Sequence, residues 1–321
     1  MSSQKTLDVV GAGSWTNFDH LFVVDRLPAP GDTVQITGAV ETVEQVFFGG
    51  CAPNNVAAVA RLGGRAGLIG VVGHDFVTRG YRQHFEQLGV DLKGVVVVED
   101  GHCGHSFLYS DGEGRSICLS HLGVAAHQEA YEPNAEILKQ ARVTVLNYRF
   151  DSHTLRAAHI AKEASGLVIL SGALITAPDY AQAFVDTTDI LICTDHELQQ
   201  LVSHLGLEDQ NELFRRGLRA VIATRGKSGS HIILPDRTVD IPISQATLVV
   251  DPTGAGDSFV GGTAYGLASG CSIEDATRLG AVVASFVVEA RGCQTNLPTF
   301  EQAAERYTTN YHSTIPVVSR I

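Results

Sequence analysis

Thr247-Leu248-Val249-Val250-Asp251-Pro252-Thr253-Gly254-Ala255-Gly256-Asp257 is the stretch that decides the fold. Its first four residues are apolar or β-branched and predict a strand, and the apolar pattern after Asp257 predicts a helix. A strand-to-helix turn of small residues leaves N–H groups free at the positive end of the helix dipole, which makes an anion site from main chain. A carboxylate beside an anion site is typical of a group that orients or deprotonates a hydroxyl attacking a phosphoryl group.

Composition limits the classes of protein that this chain can be. The chain has 321 residues, of which 44% are apolar and 18% charged. This length suffices for one large α/β domain with an appendage, or for two small domains. The net charge is −12, and no block of Lys and Arg gives the electrostatic footprint of nucleic-acid binding. An acidic chain must therefore neutralise a polyanionic ligand locally, through N–H groups, a metal or a few cations.

The sequence predicts a cytoplasmic protein without a membrane partner. Met1–Lys5 lacks the apolar core of a signal peptide, and no uninterrupted apolar run approaches the roughly 18 residues of a membrane span. The six cysteines are scattered and form no CxxC pair. We therefore expect reduced thiols, as in a cytosolic protein.

Short β-rich runs alternate with helical patterns along most of the chain. The predicted strands are Leu7–Val10, Leu68–Val72, Val95–Val98, Val143–Leu146, Leu167–Leu170, Ile190–Cys193, Ala220–Thr224 and His231–Leu234. The predicted helices include Pro53–Leu62, Leu155–Ala164, Glu197–Leu205 and Ile273–Ala290. Alternation of this kind predicts an α/β fold with a mostly parallel sheet and helices on both faces.

Two stretches break the alternation and predict a small β-layer beside the main sheet. Thr33–Phe48 is predicted to be extended, with no helix after it until Pro53. Ser106–Leu119 is predicted to be a hairpin with its turn at Asp111–Gly114. A second layer over one edge of a nucleotide-binding fold is a natural lid.

Gly49-Gly50-Cys51-Ala52-Pro53-Asn54 is a second motif that fits a binding site. Paired glycines after an extended segment make a flexible joint, placed where the lid would meet the first helix of the main domain. Asn54 falls in the first turn of that helix, where its amide is free to bond a hydroxyl.

These motifs together resemble the ribokinase-like (PfkB) family of carbohydrate and nucleoside kinases. The family shows GGxxxN in its N-terminal third, matched here by Gly49–Asn54, and a DTxGAGD-type string, matched by Asp251–Asp257. Asp19 with the turn Leu27–Thr33 resembles its sugar-contacting aspartate and the P-x-P-G-[DE]-T turn. The string Thr224-Arg-Gly-Lys-Ser-Gly229 resembles its T-x-G-x-x-G nucleotide segment, so the resemblance spans residues from about 7 to 300.

The resemblance implies a ribokinase-like fold with one kinase domain over residues 1–321 and lid segments at approximately 16–48 and 101–125. It implies an ATP-dependent kinase that phosphorylates a hydroxymethyl group of a sugar or nucleoside. The implied catalytic groups are Asp257 as base and the N–H groups of Gly254, Ala255 and Gly256 as an anion hole. The implied acceptor-binding residues are Asp19, Asn54, Gly49 and Gly50, and the implied nucleotide-binding residues are Thr224, Gly226 and Gly229.

Metals and assembly also follow from the resemblance alone. Glu197 matches the acid of the family's N-x-x-E string, which organises Mg²⁺ and phosphates indirectly. Asp251 matches a position that lines a monovalent-cation site in some members, which makes K⁺ a candidate cofactor. Members that pair do so through lid strands, so an apolar lid face around Val34–Phe48 allows a homodimer without requiring one.

Two departures from the family pattern keep a rival function open. Thr194-Asp-His-Glu197 has a hydroxyl where the family often has an amide, and Ser171-Gly-Ala173 stands where it often has D-P-N. The rival is a catalytically weak sugar- or nucleoside-binding protein on a kinase scaffold. An NAD(P)-dependent oxidoreductase is a second rival, since Gly11-Ala-Gly13 follows a strand. Its fingerprint lacks the third glycine, because position 16 is Thr.

Overall fold

The structure is a computed structural model and describes residues 5–37, 44–111 and 115–316. The strands in these ranges are β1 Leu7–Ala12, β2 Asn17–Val24, β3 Ile36–Thr37, β4 Val46–Gly49, β5 Ala66–Gly73, β6 Asp91–Val98, β7 Gly104–Ser110, β8 Ser116–His121, β9 Ala141–Asn147, β10 Leu167–Ser171, β11 Ile190–Thr194, β12 Ala220–Thr224, β13 Ser230–Ile233 and β14 Thr238–Ile241. The α-helices are α1 Cys51–Arg61, α2 Asp75–Thr78, α3 Tyr81–Gln87, α4 Ala135–Gln140, α5 Ser152–Glu163, α6 Pro178–Thr187, α7 Asp195–His204, α8 Glu212–Arg215, α9 Ala255–Ala268, α10 Ile273–Val287 and α11 Phe300–Tyr311. Short 3₁₀ helices cover Gly123–Ala130, Leu174–Thr176 and Gly226–Ser228.

The main sheet has nine strands in the order β14-β13-β12-β11-β10-β9-β1-β5-β6. The seven strands from β12 to β6 in this spatial order run parallel to one another. Strands β13 and β14 form an antiparallel edge. The chain leaves β1 towards β5 on one side and returns to β9 on the other. Ligands of open parallel sheets bind outside the carboxyl ends of the strands at such a reversal, which here means the ends of β1 and β9.

Helices cover both faces of the main sheet, as the alternation predicts. Successive residues of β1 point to opposite faces, so Val9 belongs to one apolar core and Val10 to the other. The core around Val9 is closed by α1, α9, α10 and α11, and the core around Val10 by α4, α5, α6 and α7. The long helices α9 and α10 pack on each other, and α9 also packs on α1, which fixes the start of α9 beside the start of α1.

The second sheet has the order β3-β2-β7-β8, with β4 also pairing to β2. Its central strand β2 runs parallel to β7 and antiparallel to β3 and β4. The segment β2 follows the carboxyl end of β1 after four residues, and β4 leads directly into α1. The small sheet, called the lid below, therefore adjoins the edge of the main sheet where ligands are expected.

Most predicted elements are confirmed with small shifts at their ends, since each predicted strand between residues 7 and 234 overlaps an observed one. The four predicted helices begin up to three residues earlier or end up to three residues earlier than expected. The hairpin is confirmed as β7 and β8, although residues 112–114 of its predicted turn lie outside the described residues. Of the predicted extended stretch 33–48, residues 38–43 likewise lie outside them.

The predicted strand at Thr247–Val250 is wrong. The segment is irregular, and the side chains of Leu248 and Val249 are 63% and 62% exposed. The N–H groups of Val250 and Asp251 both donate to the carbonyl of Val288, at 2.7 and 3.2 Å. The end of α10 therefore takes the place of a neighbouring strand, and β-propensity alone could not reveal that.

None of the helices in the described ranges combines the length and the apolarity needed to cross a membrane.

Candidate active site

The turn before α9 presents unpaired N–H groups, as expected of an anion site. Gly254 precedes the helix with φ of 80°, a left-handed conformation, and a Cβ there would lie 2.6 Å from the Cβ of Cys293. The N–H of Ala255 donates to the carbonyl of Pro252 at 3.2 Å. Among the residues described, the N–H groups of Gly254, Gly256 and Asp257 have no acceptor. Three donors at a helix N-terminus are thus available to an anion.

Asp257 lies in the first turn of α9 and is bound by residues from the start of α1. Asn54 Nδ2 donates to Asp257 Oδ2 at 2.8 Å, and Asn55 Nδ2 donates to the Asp257 carbonyl at 2.8 Å. Burial raises the pKa of Asp257, while hydrogen bonds from Asn54 and the Cys51 thiol oppose that rise. The structure therefore brings the two glycine-containing motifs together, although they are 203 residues apart.

Asp19 reaches the same place from the lid. It lies on β2 and is only 4% exposed. Burial raises the pKa of Asp19 to about 7, opposed by hydrogen bonds from the Cys293 thiol and the Asn17 amide. The negative charge of Asp257 raises the pKa further, so the two carboxylates are near enough to repel each other.

Gly49 is needed because the backbone of β4 passes very close to the side chain of Asp19 on β2. A Cβ at position 49 would lie 2.0 Å from Asp19 Oδ2, which no side chain tolerates. The next residue, Gly50, has φ of 107°. The paired glycines are thus required by the close approach and by the left-handed backbone, in addition to any role as a joint.

A partly buried hydrogen-bond network extends from Asn54 to the lid joint at Gly49 and Gly50. Gln294 Nε2 donates to Asn54 Oδ1 at 2.9 Å and to the Tyr81 hydroxyl at 2.7 Å. Tyr81 donates to the carbonyl of Gly49 at 2.9 Å, and His84 Nε2 lies 2.9 Å from Gln294 Oε1. Sequence reasoning missed Gln294, Tyr81 and His84, because none of them lies in a recognisable motif.

The predicted nucleotide segment lies at the carboxyl end of β12. Thr224 is the last residue of that strand, with its hydroxyl 3.4 Å from the Cys193 carbonyl. Gly226 and Gly229 bound the short 3₁₀ turn that follows. Thr224 pairs in register with Thr194 of β11, so this segment lies beside the Thr194–Glu197 string.

Tyr148 lies near acidic residues of both parts of the site and was also missed from the sequence. It follows β9 with φ of 26°, which is strained for a bulky residue, and its side chain is 38% exposed. Burial raises the pKa of Tyr148, and the negative charges of Glu197 and Asp257 raise it further. Tyr148 is therefore close enough to both Asp257 and Glu197 for their charges to affect the pKa of its hydroxyl.

The two candidate metal-binding acids, Glu197 and Asp251, have different hydrogen-bond partners. Thr194 and Glu197 form a capping box: Thr194 N donates to Glu197 Oε2 at 2.7 Å, and Glu197 N donates to Thr194 Oγ1 at 3.1 Å. Asp251 is buried, and its Oδ1 accepts from the N–H and hydroxyl of Thr253. The described residues contain no group of three acids, histidines or cysteines that could hold a metal ion alone.

Comparison with known families identifies the chain. The model of the pfkB family carbohydrate kinases matches residues 16–300. The chain belongs to this family. It is 30% identical over 298 residues to a nucleoside kinase of Methanocaldococcus jannaschii, covering 91% of this chain and 94% of that protein. It is 26% identical over 308 residues to a mouse (Mus musculus) ribokinase, covering 92% and 93% of the two chains.

Solved structures confirm the ribokinase-like fold of this pfkB protein. The crystal structure of the M. jannaschii nucleoside kinase superposes with a TM-score of 0.84 at 28% identity, over 96% of this chain and 100% of that chain. A Burkholderia thailandensis nucleoside kinase in complex with inosine gives a TM-score of 0.85 at 22% identity, over 95% and 98%. The protein is accordingly a phosphotransferase with an alcohol group as acceptor.

Proposed function

We propose that this pfkB kinase transfers the γ-phosphoryl group of ATP to a hydroxymethyl group of a nucleoside or sugar, with Asp257 as the base. One observation carries the proposal: Asp257, Asn54 and Asp19, from three distant parts of the chain, converge at a helix N-terminus with unpaired N–H groups. Asn54 and Asp19 bind the acceptor. The glycines of the joint, Gly49 and Gly50, let the lid approach it.

Asp257 acts on the acceptor hydroxyl mainly by aligning it. An alcohol is a poor nucleophile at neutral pH, but in a loose phosphoryl-transfer transition state its proton can leave late. Burial raises the pKa of Asp257, which brings this carboxylate nearer to the operating pH, where a general base works best. Such a base contributes about 10²–10⁴-fold to the rate.

The turn before α9 stabilises the charge on the transferring phosphoryl group. We predict from the sequence that Gly254, Ala255 and Gly256 supply its N–H groups. The N–H of Ala255 already donates to the carbonyl of Pro252. We therefore propose that the backbone N–H of Asp257 takes its place as the third donor to the phosphoryl group. Fixed N–H groups at a helix N-terminus stabilise developing charge without reorganising. The lid excludes water, which would otherwise accept the phosphoryl group.

Thr224, Gly226 and Gly229 are proposed to lie along ATP. Support comes from a ribokinase of Cryptococcus neoformans var. grubii in complex with ADP, which is 25% identical with a TM-score of 0.78 over 93% of this chain and 98% of that chain. In this chain the three residues form the carboxyl end of β12 and the turn after it, the sheet edge where nucleotides bind.

Glu197 fits an indirect Mg²⁺ ligand. Its Oε2 is used by the capping box, which leaves Oε1 for a metal-bound water. Proteins commonly hold Mg²⁺ through one or two carboxylates together with substrate phosphates and waters, so a single acid suffices. Bound Mg²⁺ would neutralise charge on the ATP phosphates. Asp251 is proposed to line a K⁺ site, since Thr253 uses only its Oδ1.

One kinase domain spanning the chain, with a lid near 16–48 and 101–125, remains our proposal for the domain organisation. The lid also offers an edge for a homodimer, because every residue of β8 is exposed, including the apolar Ile117 and Leu119.

Nucleosides are the first acceptors to test, because the M. jannaschii relative is a nucleoside kinase.

A coupled assay of ADP release tests the proposal. The purified protein is given MgATP with inosine, adenosine, cytidine, ribose or fructose, and binding of each acceptor is measured in parallel by calorimetry. We expect at least one acceptor to release ADP, with phosphate found on its hydroxymethyl oxygen. Acceptor binding without ADP release across the panel would instead support the weakly catalytic binding protein.

A further inference from the structure

We propose that Gln294 is a positioning residue that fixes the amide of Asn54 so that it donates to the carboxylate of Asp257. The inference rests on the base role proposed above. Gln294 lies in the loop after α10 and acts through a second side chain: Gln294 Nε2 donates to Asn54 Oδ1 at 2.9 Å, and Asn54 Nδ2 donates to Asp257 Oδ2 at 2.8 Å. A side chain outside every motif would thus control how the base is bound.

The direction of each hydrogen bond follows from the carbonyl of Gly49, which can only accept. Tyr81 must donate its single hydroxyl proton to that carbonyl, at 2.9 Å. Its oxygen must then accept from Gln294, at 2.7 Å, which places the amide nitrogen of Gln294 towards Tyr81. The amide oxygen of Gln294 consequently faces His84, whose Nε2 donates to it from 2.9 Å.

The same amide nitrogen of Gln294 also faces Asn54, so Asn54 must present its oxygen to Gln294 and its nitrogen to Asp257. A reversed Asn54 amide would set an oxygen against the Asp257 carboxylate, and a nitrogen against the nitrogen of Gln294. Both contacts would lack a proton donor or an acceptor. The backbone of the lid joint therefore determines, through four hydrogen bonds, that the base receives an N–H.

His84 completes the constraint on Gln294. Burial lowers the pKa of His84, and the bond to Gln294 opposes that change. A neutral imidazole with its proton on Nε2 is the form that donates to the amide oxygen. Without this donor, the amide of Gln294 could rotate and expose Asn54 to the reversed orientation.

Loss of the Asn54 donor should raise the pH at which Asp257 loses its proton, because the hydrogen bond favours the charged form. The titratable groups that face Asp257 are Asp19 on β2, Cys51 on α1, Tyr148 after β9, and Cys293 in the loop after α10. Substitution of Gln294 alters none of these groups. A shift in the pH profile then reports the contact between Asn54 and the base.

The experiment compares Gln294→Leu with the wild-type enzyme over a pH series. We expect kcat to fall about tenfold, as for a lost hydrogen bond to a charged group. We expect the acid limb of the kcat profile to move up by about one pH unit, with the KM for ATP unchanged. Gln83→Leu is the matched control, since it replaces the same type of side chain in the same way at an exposed position of α3.

A second pair of variants keeps the test valid if Gln294→Leu fails to fold. His84→Gln can still donate to the amide oxygen of Gln294 and should keep the wild-type profile. His84→Leu cannot donate and should shift the profile in the same direction as Gln294→Leu. Equal profiles for the two His84 variants would overturn the inference.

Asp257→Asn distinguishes a failure of the inference from a failure of the proposed function. In the Asp257→Asn background, Gln294→Leu should not lower kcat further, because the group it positions is gone. A wild-type profile for Gln294→Leu, or an equal loss in both backgrounds, would overturn the positioning role alone. Near-normal turnover of Asp257→Asn by itself would instead remove the base role on which the inference rests.

Discussion

Each of the two carboxylates in the site is paired with a cysteine thiol. The Cys51 thiol forms a hydrogen bond with Asp257, and Cys293 Sγ lies 3.5 Å from Asp19 Oδ2. Burial and the adjacent negative charges raise the pKa of both thiols, so they remain protonated donors. A thiol is a weak donor, and weak donors leave the pKa of a buried carboxylate high. At the scale of single residues, burial therefore keeps Asp257 and Asp19 more basic than ordinary aspartates, because the thiol hydrogen bonds offset only part of its effect on the pKa.

Asp257→Asn should retain binding of the acceptor while lowering turnover by about 10²–10⁴-fold, the contribution of a general base. The amide is nearly isosteric, and its oxygen can still accept from Asn54 Nδ2. Steady-state ADP release and acceptor binding by calorimetry measure the two effects separately. Turnover close to that of the wild type would exclude Asp257 as the base.

Gly254→Ala should lose both stability and turnover, whereas Gly256→Ala should be tolerated. Alanine at 254 must adopt φ near 80° and would place its Cβ 2.6 Å from Cys293. A Cβ at Gly256 meets no atom within 4 Å, and the N–H is kept. The left-handed conformation alone costs roughly 1–2 kcal/mol. Urea unfolding and ADP release measure the two variants, and equal behaviour would contradict the assigned turn geometry.

At the scale of elements, helix α7 shows how a departure from a family pattern acquires a structural role. Threonine replaces the family's amide at position 194, and the structure uses it as the N-cap of α7 in a capping box with Glu197. The string T-x-x-E is a recognised capping signature, so the sequence contained the signal. The departure therefore keeps the start of the helix and the position of Glu197.

Thr194→Ala should lower the free energy of unfolding by about 1 kcal/mol, since it removes an N-cap. Thr194→Asn should preserve stability, because asparagine caps equally well, and should lower the Mg²⁺ concentration needed for half-maximal activity. Chemical unfolding and Mg²⁺ titrations of ADP release measure these effects. The control is Thr299→Ala, which removes the capping box of α11. If Thr299→Ala changed the Mg²⁺ requirement as Thr194→Asn does, the effect would not belong to the site.

At the scale of the whole molecule, the site exists only where the lid meets the main sheet. Asp19 comes from the lid, Asn54 from α1, Asp257 from α9 and Gln294 from the loop after α10. Gly49 of the lid and Asp257 are connected by hydrogen bonds through Tyr81, Gln294 and Asn54. Movement of the lid would therefore act on the residues that bind Asp257.

Stability should fall as pH rises from about 4 to about 7 by an amount due to Asp19. Its pKa is raised from 3.8 to about 7 on folding, so the folded state binds the proton more tightly. That stabilisation is complete below the unfolded pKa and is lost as pH rises through the folded one. A pKa that rises by one on folding changes the free energy of unfolding by at most about 1.4 kcal/mol.

Asp19→Asn isolates this contribution, because other carboxylates of the chain have a lowered pKa and act in the opposite sense. Relative to the wild type, the variant should be more stable at pH 8 than at pH 5. Urea unfolding at both pH values measures the difference, with the exposed Asp25→Asn as control. A difference that does not depend on pH would contradict the raised pKa.

The fold class was predictable because local patterns of apolar and polar residues indicate it. The alternation of apolar runs and helical periodicities between residues 7 and 290 requires only neighbours in sequence. The segment Thr247–Val250 shows the limit of such patterns. Its β-branched residues favour a strand, but β14 already forms the sheet edge and the end of α10 binds the backbone instead.

The candidate site was predictable in part, through motifs whose spacing is fixed by the chain. Gly254–Asp257 and Gly49–Asn54 could be singled out because glycines, an amide and an acid occur at fixed offsets. Gln294, Tyr81 and His84 could not, since a glutamine, a tyrosine and a histidine on separate elements form no pattern. Their hydrogen-bond partners can be identified only from the distances between side chains in the folded structure.

The sequence by itself determined the α/β class, the strand–turn–helix that ends in Asp257, and the family resemblance, because each depends on residues close together in the chain. Only the tertiary structure decided that Asn54 bonds Asp257 across 203 residues, that Asp19 lies near Asp257, and that Gln294 donates to Asn54. The reason is physical: hydrogen bonds and charge repulsion depend on distance in space, and packing of α1 against α9 sets those distances.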